Sequence, residues 1–527
     1  MIAAVCWVPK GAAKNVPVVA EPPTEEQLRE LLQQHEDLRE ASEGEGDEED
    51  EELDADEMED AGAGSGGSAA VSTALAAASA LGATTSQPNG HKSHEEMLAD
   101  GLAELDMDHY DEEDEGVEIF GNGGLGAAYY PSNEDDPYLV DKNDDEDEEI
   151  EDMTIKDSDL IILTARNEDD VSHLEYWVYE TEDTISEDPD EETNMYVHHD
   201  IMLPAFPLCL SWLDCNPKGE GKGNYVAVGT MQPEIEIWDL DVVDSVEPVS
   251  VLGGAIQSVP EQGSTEKKNK KKSKKKAAAK QVQYKEGSHT DAVLGLSWNS
   301  VFRNVIASAS ADKSVKIWDV VKGACEHTMN IHTDKVQAVA WNLKEPTVLL
   351  SGSFDRTVAL TDMRAPQAAA IRWSVSADVE YLAWDPHTPH TFIVSLEDGT
   401  VGGYDVRTGT TDPQQGKALF TIHAHDKAAC CLAYNTAAPN LLATVSTDKM
   451  VKLWDLTDNQ PACIASTNPK VGAVFAASFC KDAPFLLAVG GSKGNLHVWD
   501  TLAIGEVSRR FGKFSPRPRR ISTNVEA

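Results

Sequence analysis

The chain has 527 residues and a formal net charge of −50. Residues 1–157 hold 45 acids against 7 bases, whereas residues 158–527 hold 48 acids against 36 bases. The first segment is too acidic and too poor in large apolar residues to bury a core, so we expect it to be disordered. This distribution disfavours both a wholly globular multidomain enzyme and a protein that coats nucleic acid by charge.

The cysteines and the apolar runs indicate in which cellular compartment the protein is expected. The eight cysteines include no Cys-x-x-Cys pair, which favours buried thiols in a reducing compartment over a disulfide scaffold or a zinc module. The apolar run at residues 2–8 lacks the leading basic region of a signal peptide, and no run approaches the length of a membrane span. We therefore expect an intracellular protein that is not inserted in a membrane.

The acidic region spans residues 11–157 and contains one predicted helix, at residues 24–41. Thr24 and Gln27 have the spacing of a capping box, and Leu28, Leu31 and Leu32 share a stripe. Such a helix is either transient or a docking element for a partner. The acidic runs are either solvated tails or binding segments for basic proteins such as ribosomal proteins or histones.

From about residue 158 short β-branched and aromatic runs alternate with turn residues, which predicts strands. A repeat is superimposed on them: Trp298, Trp341 and Trp384 lie 43 positions apart. In each of these units a second repeated position, a residue directly before an Asp, follows the Trp by 20 positions, as Trp318 follows Trp298. Six such units can be aligned, which predicts a repeat architecture.

The unit that ends at Trp318 shows what the repeat builds. His289, Asp312 and Trp318, together with Ser308 or Ser310, can form a hydrogen-bonded network that holds a loop to the strands. Here the chain resembles the WD-repeat family, which implies an all-β fold, a β-propeller. The pattern recurs at His425, Asp448 and Trp454 and, without the Trp, at His332 and Asp355; Asp398 lacks both the His and the Trp.

Six units require a seventh blade to close the ring. Runs near residues 160, 174 and 195 supply three strands, and residues 1–10 are the candidate for the missing inner strand. The acidic region then becomes an insertion within that blade. We predict a seven-bladed propeller over residues 158–510, followed by a basic tail at 511–527.

No residue pattern points to catalysis. Residues that every blade repeats are architectural, and the chain has no phosphate loop, nucleophile elbow or His-Glu-x-x-His motif. Neighbouring strand residues point to opposite faces, so His198 and His199 are not expected to share a metal ion. We predict a protein that is not an enzyme, with no cofactor and no metal.

A lysine-rich insert occupies residues 253–288, where the spacing from Trp238 to Trp318 grows to 80. Lysine blocks act as nuclear or nucleolar addresses and also bind RNA phosphates. Arg519 and Arg520 belong to a second basic cluster. The lysines of the insert are Lys267, Lys268, Lys270, Lys271, Lys272, Lys274, Lys275 and Lys276.

Four serines lie in short kinase patterns. Ser42 and Ser132 each have an acid three residues later, which acid-directed kinases prefer. Ser515 precedes a proline, and Ser522 follows Arg519 and Arg520. Each of these serines is either a phosphorylation site or merely exposed.

Within the WD-repeat class, the chain resembles the periodic tryptophan protein 1 family. The resemblance is carried by residues 108–113, 136–138, 224–248, 289–294 and 332–337 and by the lysine block. It implies a nucleolar, non-enzymatic protein of ribosome biogenesis, with a role in maturation of large-subunit pre-ribosomal RNA and ties to ribosomal-gene chromatin. The implied partners are proteins of the pre-ribosomal particle and pre-ribosomal RNA.

Two other functions remain open from the residues. A substrate receptor of a cullin-type ubiquitin ligase favours Trp-Asp-x-Arg at blade ends, and Asp362 with Arg364 and Asp405 with Arg407 fit except for the Trp. A histone-binding chaperone is consistent with the acidic region.

Overall fold

Each repeat unit forms one antiparallel sheet in a computed structural model of the protein. The structure describes residues 1–20, 153–168, 171–181, 194–219, 221–256, 283–366, 368–409 and 416–516. The predicted helix at 24–41, most of the acidic region, the lysine block, Ser42, Ser132, Ser522, Arg519 and Arg520 lie outside the described residues.

Seven sheets form the blades of a β-propeller, numbered here in the order of the chain from blade 1, which contains the first strand. From the inner to the outer strand, blade 1 comprises Ile2–Val8, Leu160–Glu168, Val171–Tyr179 and Met195–Leu203. Blade 2 comprises Pro207–Cys215, Lys222–Thr230, Ile235–Asp239 and Ser250–Leu252. Blade 3 comprises Val293–Trp298, Val305–Ser310, Val315–Asp319 and Ala324–Met329.

The remaining blades follow the same order. Blade 4 comprises Val336–Trp341, Val348–Ser353, Thr357–Asp362 and Ile371–Ser374, and blade 5 comprises Val379–Trp384, Thr391–Leu396, Thr400–Asp405 and Phe420–His423. Blade 6 comprises Cys431–Tyr434, Leu441–Val445, Val451–Asp455 and Ala462–Thr467. Blade 7 has three strands in the described chain: Val474–Phe479, Leu486–Gly491 and Leu496–Asp500.

The turn between the second and third strands explains part of the repeat. Lys313, Arg356 and Lys449 have positive φ angles of 70°, 61° and 72°, and glycines 399 and 494 take the same position in blades 5 and 7. Tight hairpin turns need this left-handed conformation because it matches the twist of the flanking strands. The turn therefore accepts a glycine or tolerates a strained side chain.

The ring closes where the first strand meets the last blade. Ile2–Val8 pairs with Leu160–Glu168, as the strand pattern predicted, and also packs against the inner strand of blade 7. Ile2 is fully buried there, and a Cβ atom at Gly490 would lie 2.4 Å from it. The backbone nitrogen of Lys10 donates to Asp482 over 2.9 Å. Closure thus rests on packing and hydrogen bonds between two blades.

The folded body extends past both predicted boundaries. The helix α1, Gly505–Phe511, crosses the boundary set at residue 510, and Phe511 is 4% exposed. The boundary was wrong because α1 is amphipathic and buries Val507 and Phe511 in the core. At the other end, Val18–Val19 pairs in parallel with Val242–Val243, so residues 11–20 are ordered rather than part of a disordered region.

Candidate functional site

The His–Asp network of blade 3 forms a chain of donors and acceptors. The indole N–H of Trp318 donates to Oγ of Ser308 over 2.8 Å, and Ser308 lies 2.7 Å from Nε2 of His289. Nδ1 of His289 lies 2.8 Å from Oδ2 of Asp312. Because the carboxylate of Asp312 can only accept, neutral His289 donates to it from Nδ1, which leaves Nε2 as an acceptor for the hydroxyl of Ser308. The sequence left Ser308 and Ser310 open; the structure places Ser308 in the network.

The same network recurs in two other blades. His425 bridges Asp448 and Thr444 at 2.9 and 2.8 Å, and the indole of Trp454 donates to Thr444. In blade 4, His332 bridges Asp355 and Ser351 at 3.0 and 2.8 Å without a Trp.

These residues build the fold rather than a catalytic centre. A Ser–His–Asp arrangement resembles a hydrolase triad in its order, but the hydroxyl of Ser308 is fully buried and already holds an indole. Burial alone would raise the pKa of Asp312, yet hydrogen bonds from His289 and Ser314 outweigh it and hold that pKa well below its usual range. Burial also lowers the pKa of His289, which keeps the ring neutral. A buried, satisfied network stabilises the loop between blades.

Blade 5 replaces the histidine with a weaker partner. Asp398 accepts from the hydroxyl of Ser376 at 3.0 Å and from the backbone nitrogen of Thr400 at 2.9 Å. The turn therefore keeps its carboxylate, but no imidazole links it to the second strand.

Blades 1 and 2 use another device that the sequence analysis missed. The indole of Trp177 donates to Glu175, and that of Trp238 donates to Glu236, over 2.9 and 3.0 Å. Glu175 also binds Arg166 at 2.8 Å. Glu236 has no cation partner in the described chain; burial raises its pKa to about 7, although the Trp238 bond opposes the shift. A repeated Glu-x-Trp was the available signal.

The histidine pair of blade 1 corrects one expectation. His198 and His199 do not point to opposite faces, because a bulge opposite Tyr176 shifts the register there. Their Nδ1 atoms lie 2.9 Å apart, and Nε2 of His198 lies 3.0 Å from the carbonyl oxygen of Met153. Burial, followed by the charge of His198, lowers the pKa of His199 to about 4. The strand alternation that the prediction assumed fails at a bulge.

A second set of missed residues ties blades 3 and 4 each to the next blade. Asn299 donates from its side chain to the carbonyl oxygen of Pro346 in the next blade over 2.7 Å. Asn342 repeats this contact with Pro389 at 2.9 Å. Each Asn directly follows the repeating Trp, so the signal was a Trp-Asn pair with a proline farther along.

A pocket of about 240 Å³ lies between blades 3 and 4. Trp341 lines it together with Phe302, Pro346 and Met363. Trp341 is 6% exposed and its indole nitrogen has no hydrogen-bond partner among the described residues, whereas that of Trp298 donates to the carbonyl oxygen of Arg303 over 2.7 Å.

Of the remaining predicted residues, three lie in the part of the chain that the structure describes. Arg364 and Arg407 each contact the Asp two residues earlier, at 2.6 Å, with most of the side chain exposed. Ser515 directly follows the short helical turn Gly512–Phe514. No three His, Cys, Asp or Glu side chains of the described residues are grouped to hold a metal ion. None of the helices described is long and apolar enough to span a bilayer.

Comparisons with known proteins agree with this geometry. The family model "WD domain, G-beta repeat" matches residues 280–319, 323–362 and 416–455. An uncharacterised WD repeat-containing protein of Schizosaccharomyces pombe is 43% identical over 81% of this chain and 79% of its own. Periodic tryptophan protein 1 of Saccharomyces cerevisiae is 31% identical over 79% of this chain and 77% of its own. The Drosophila melanogaster homologue is 30% identical over 67% and 69%.

The repeat spacing, the seven blades and these two named relatives lead to one assignment. The chain belongs to the periodic tryptophan protein 1 family of WD-repeat proteins.

Proposed function

We propose that this protein is a nucleolar scaffold of ribosome biogenesis that acts in maturation of large-subunit pre-ribosomal RNA and does not catalyse a reaction. The observation that carries the proposal is membership of the periodic tryptophan protein 1 family over most of the chain. The propeller supports a scaffold role, because the buried histidines of its repeated networks bind serine, threonine and aspartate side chains that hold loops.

The charge distribution gives each region a role in this proposal. The acidic region, with a net charge of −38 over residues 1–157, binds basic ribosomal proteins or histones. The lysine block at 267–276 directs the chain to the nucleolus and contacts pre-ribosomal RNA. The propeller faces bind proteins of the pre-ribosomal particle. A link to ribosomal-gene chromatin is part of the same proposal and rests on the resemblance to the family.

Sedimentation of a tagged full chain tests the proposal. We expect the protein to migrate with large-subunit precursors in a sucrose gradient and to be released by high salt. Migration with a cullin adaptor instead would favour the ligase-receptor function, for which the exposed Arg364 and Arg407 are the matching residues. Migration with free histones alone would favour a chaperone.

The lysine block is tested separately. Replacing its eight lysines with Gln should leave the thermal stability unchanged, because the block lies outside the repeat spacing. The variant should leave the nucleolus. A matched control replaces Arg519 and Arg520 with Gln; loss of nucleolar signal in the control alone would assign the address to the C-terminal arginines.

A further inference from the structure

Blade 7 differs from the other blades at its outer edge. Six blades have four strands, whereas the described part of blade 7 ends at its third strand, Leu496–Asp500. The chain then turns into α1, which packs against Ile464 in the outer strand of blade 6. The helix therefore does not extend the sheet of blade 7.

The hydrogen-bond alternation shows which groups this edge presents. The backbone nitrogen of Thr501 donates to the carbonyl oxygen of Phe485 over 2.9 Å. Hydrogen-bonded pairs alternate along an antiparallel ladder, so residues 497 and 499 also exchange backbone hydrogen bonds with the second strand. The main-chain groups of Leu496, Val498 and Asp500 consequently point outward. No strand of the described chain pairs with them. Blade 6 uses the equivalent positions, Val451 among them, to bind its outer strand.

Exposure of the side chains agrees with a missing strand. In blade 3 all five residues of the third strand are buried. In blade 7 His497 is exposed, and Val498, Trp499 and Asp500 are partly exposed. A row of unpaired main-chain groups on such a strand is a template for strand addition.

The neighbouring apolar surface defines what would fit. Val498 belongs to an apolar cluster with the partly buried side chains of Trp177, Tyr179 and Met195 from blade 1. A residue paired opposite Val498 shares its face of the sheet and meets this cluster. The next residue along points to the other face, where His497 is exposed. The edge therefore fits a segment with apolar side chains at alternate positions.

We propose that Leu496–Asp500 is a docking edge at which an extended segment of a partner protein adds as the fourth, antiparallel strand of blade 7. The segment spans three to six residues, the lengths of the outer strands of blades 2 to 6. Its alternate apolar side chains cover the blade 1 cluster, and basic flanking residues complement the net charge of −50 of this chain. A second copy of this chain is disfavoured because each copy carries a net charge of −50. This docking edge does not depend on the proposed ribosomal role.

A defined peptide tests the proposal on the full-length protein. The probe is a fluorescein-labelled Lys-Val-Thr-Val-Thr-Val-Lys amide, whose Val residues pair opposite the outward positions of the edge, and its control carries an N-methyl group on each of the three Val residues. We expect saturable binding of the probe by fluorescence anisotropy and binding of the control at least tenfold weaker, since an N-methylated amide cannot donate to the edge. Equal binding of the two peptides would overturn the proposal.

Two variants place the binding at this edge. Val498→Pro removes an outward N–H that no described residue uses, and we expect it to bind the probe at least tenfold more weakly while its melting temperature changes little. Val498→Thr keeps the N–H and should bind the probe like the parent. Unchanged probe binding by Val498→Pro would contradict the docking edge.

Hydrogen–deuterium exchange of the unsubstituted chain gives an independent measurement. We expect the amides of Leu496, Val498 and Asp500 to exchange quickly and to slow at least tenfold when the probe is added. If exchange is slow in the full chain and becomes fast after deletion of residues 517–527, the chain's own tail covers the edge. That result would overturn the proposal of a partner protein. Dimerisation abolished by Val498→Pro would likewise replace the partner with a second copy.

Discussion

The indole nitrogen of Trp7 donates to the carbonyl oxygen of Ser478 over 2.8 Å, although 471 positions separate the two residues in the chain. This bond joins the inner strand of blade 1 to that of blade 7. The ring therefore depends on the first ten residues, which a very long acidic insertion separates from the rest of their blade.

Removing the indole should open this seam. Trp7→Phe loses one hydrogen bond and should lower the free energy of unfolding by about 0.5–1.5 kcal/mol. Trp7→Ala also leaves a cavity and should cost about 3–5 kcal/mol. Chemical denaturation measures both. Trp298→Phe is the matched control, because its indole bonds within its own blade, to Arg303; it should not speed amide exchange at the seam. Unchanged thermal stability after deletion of residues 1–10 would contradict the closure.

Three of the four turn aspartates should differ in their contribution to stability. Asp312→Ala or Asp448→Ala leaves a buried histidine without its acceptor and should cost about 1–3 kcal/mol. Asp398→Ala should cost less, because Asp398 binds Ser376 and a backbone amide but no imidazole. Thermal and urea unfolding of the three variants gives the comparison. Equal losses at all three positions would refute the network as the source of the difference.

The two Glu-x-Trp contacts predict that replacing Glu with Gln changes the free energy of unfolding in opposite directions at the two sites. Burial raises the pKa of Glu236 to about 7 from the ordinary value of 4.5. A raised pKa in the folded state means that its stabilising contribution is present below pH 4.5 and is lost as the pH rises through 7. Glu236→Gln keeps an acceptor for Trp238 and should stabilise the protein at pH 8 by about 1–3 kcal/mol, with little effect at pH 4.

Glu175→Gln is the control for that substitution. Glu175 binds Arg166 at 2.8 Å and lies buried, so removing its charge should destabilise the protein at pH 8. Urea unfolding of both variants at pH 4 and pH 8 measures the signs. If both substitutions change the free energy of unfolding in the same direction at pH 8, the ion pair with Arg166 does not account for a difference between the two sites.

Negative charge should act differently at the two ends of the chain. Glu at Ser515 and Ser522 places acids beside the C-terminal arginines and should reduce retention on pre-ribosomes, more strongly at low salt. Glu at Ser42 and Ser132 adds charge to an acidic region and should not reduce retention. Salt-titrated gradient sedimentation measures both. If the two pairs behave alike, the separation into basic and acidic arms is wrong.

Periodicity made the architecture readable from the sequence. Each blade needs its inner strand, its turn and its third strand at fixed distances, so the aromatic residues and Asp312, Asp355 and Asp398 recur every 43 positions. Strand Ile2–Val8 could be recognised because it ends like the inner strands of other blades. The His–Asp networks were predictable for the same reason: local geometry repeats wherever the sequence does.

The contacts at the ring seam and the groups left without partners among the described residues were decided by the tertiary structure, because no repeat in the sequence relates the residues involved. Three features depend on which blades meet around the ring: the bond from Trp7 to Ser478, the indole of Trp341, which no described residue accepts from, and the edge at Val498, which no described strand pairs with. The bulge at His198 and the burial of Phe511 depend on how one strand or helix packs against its neighbours. Sequence spacing determines a blade; packing between blades determines what remains free to bind.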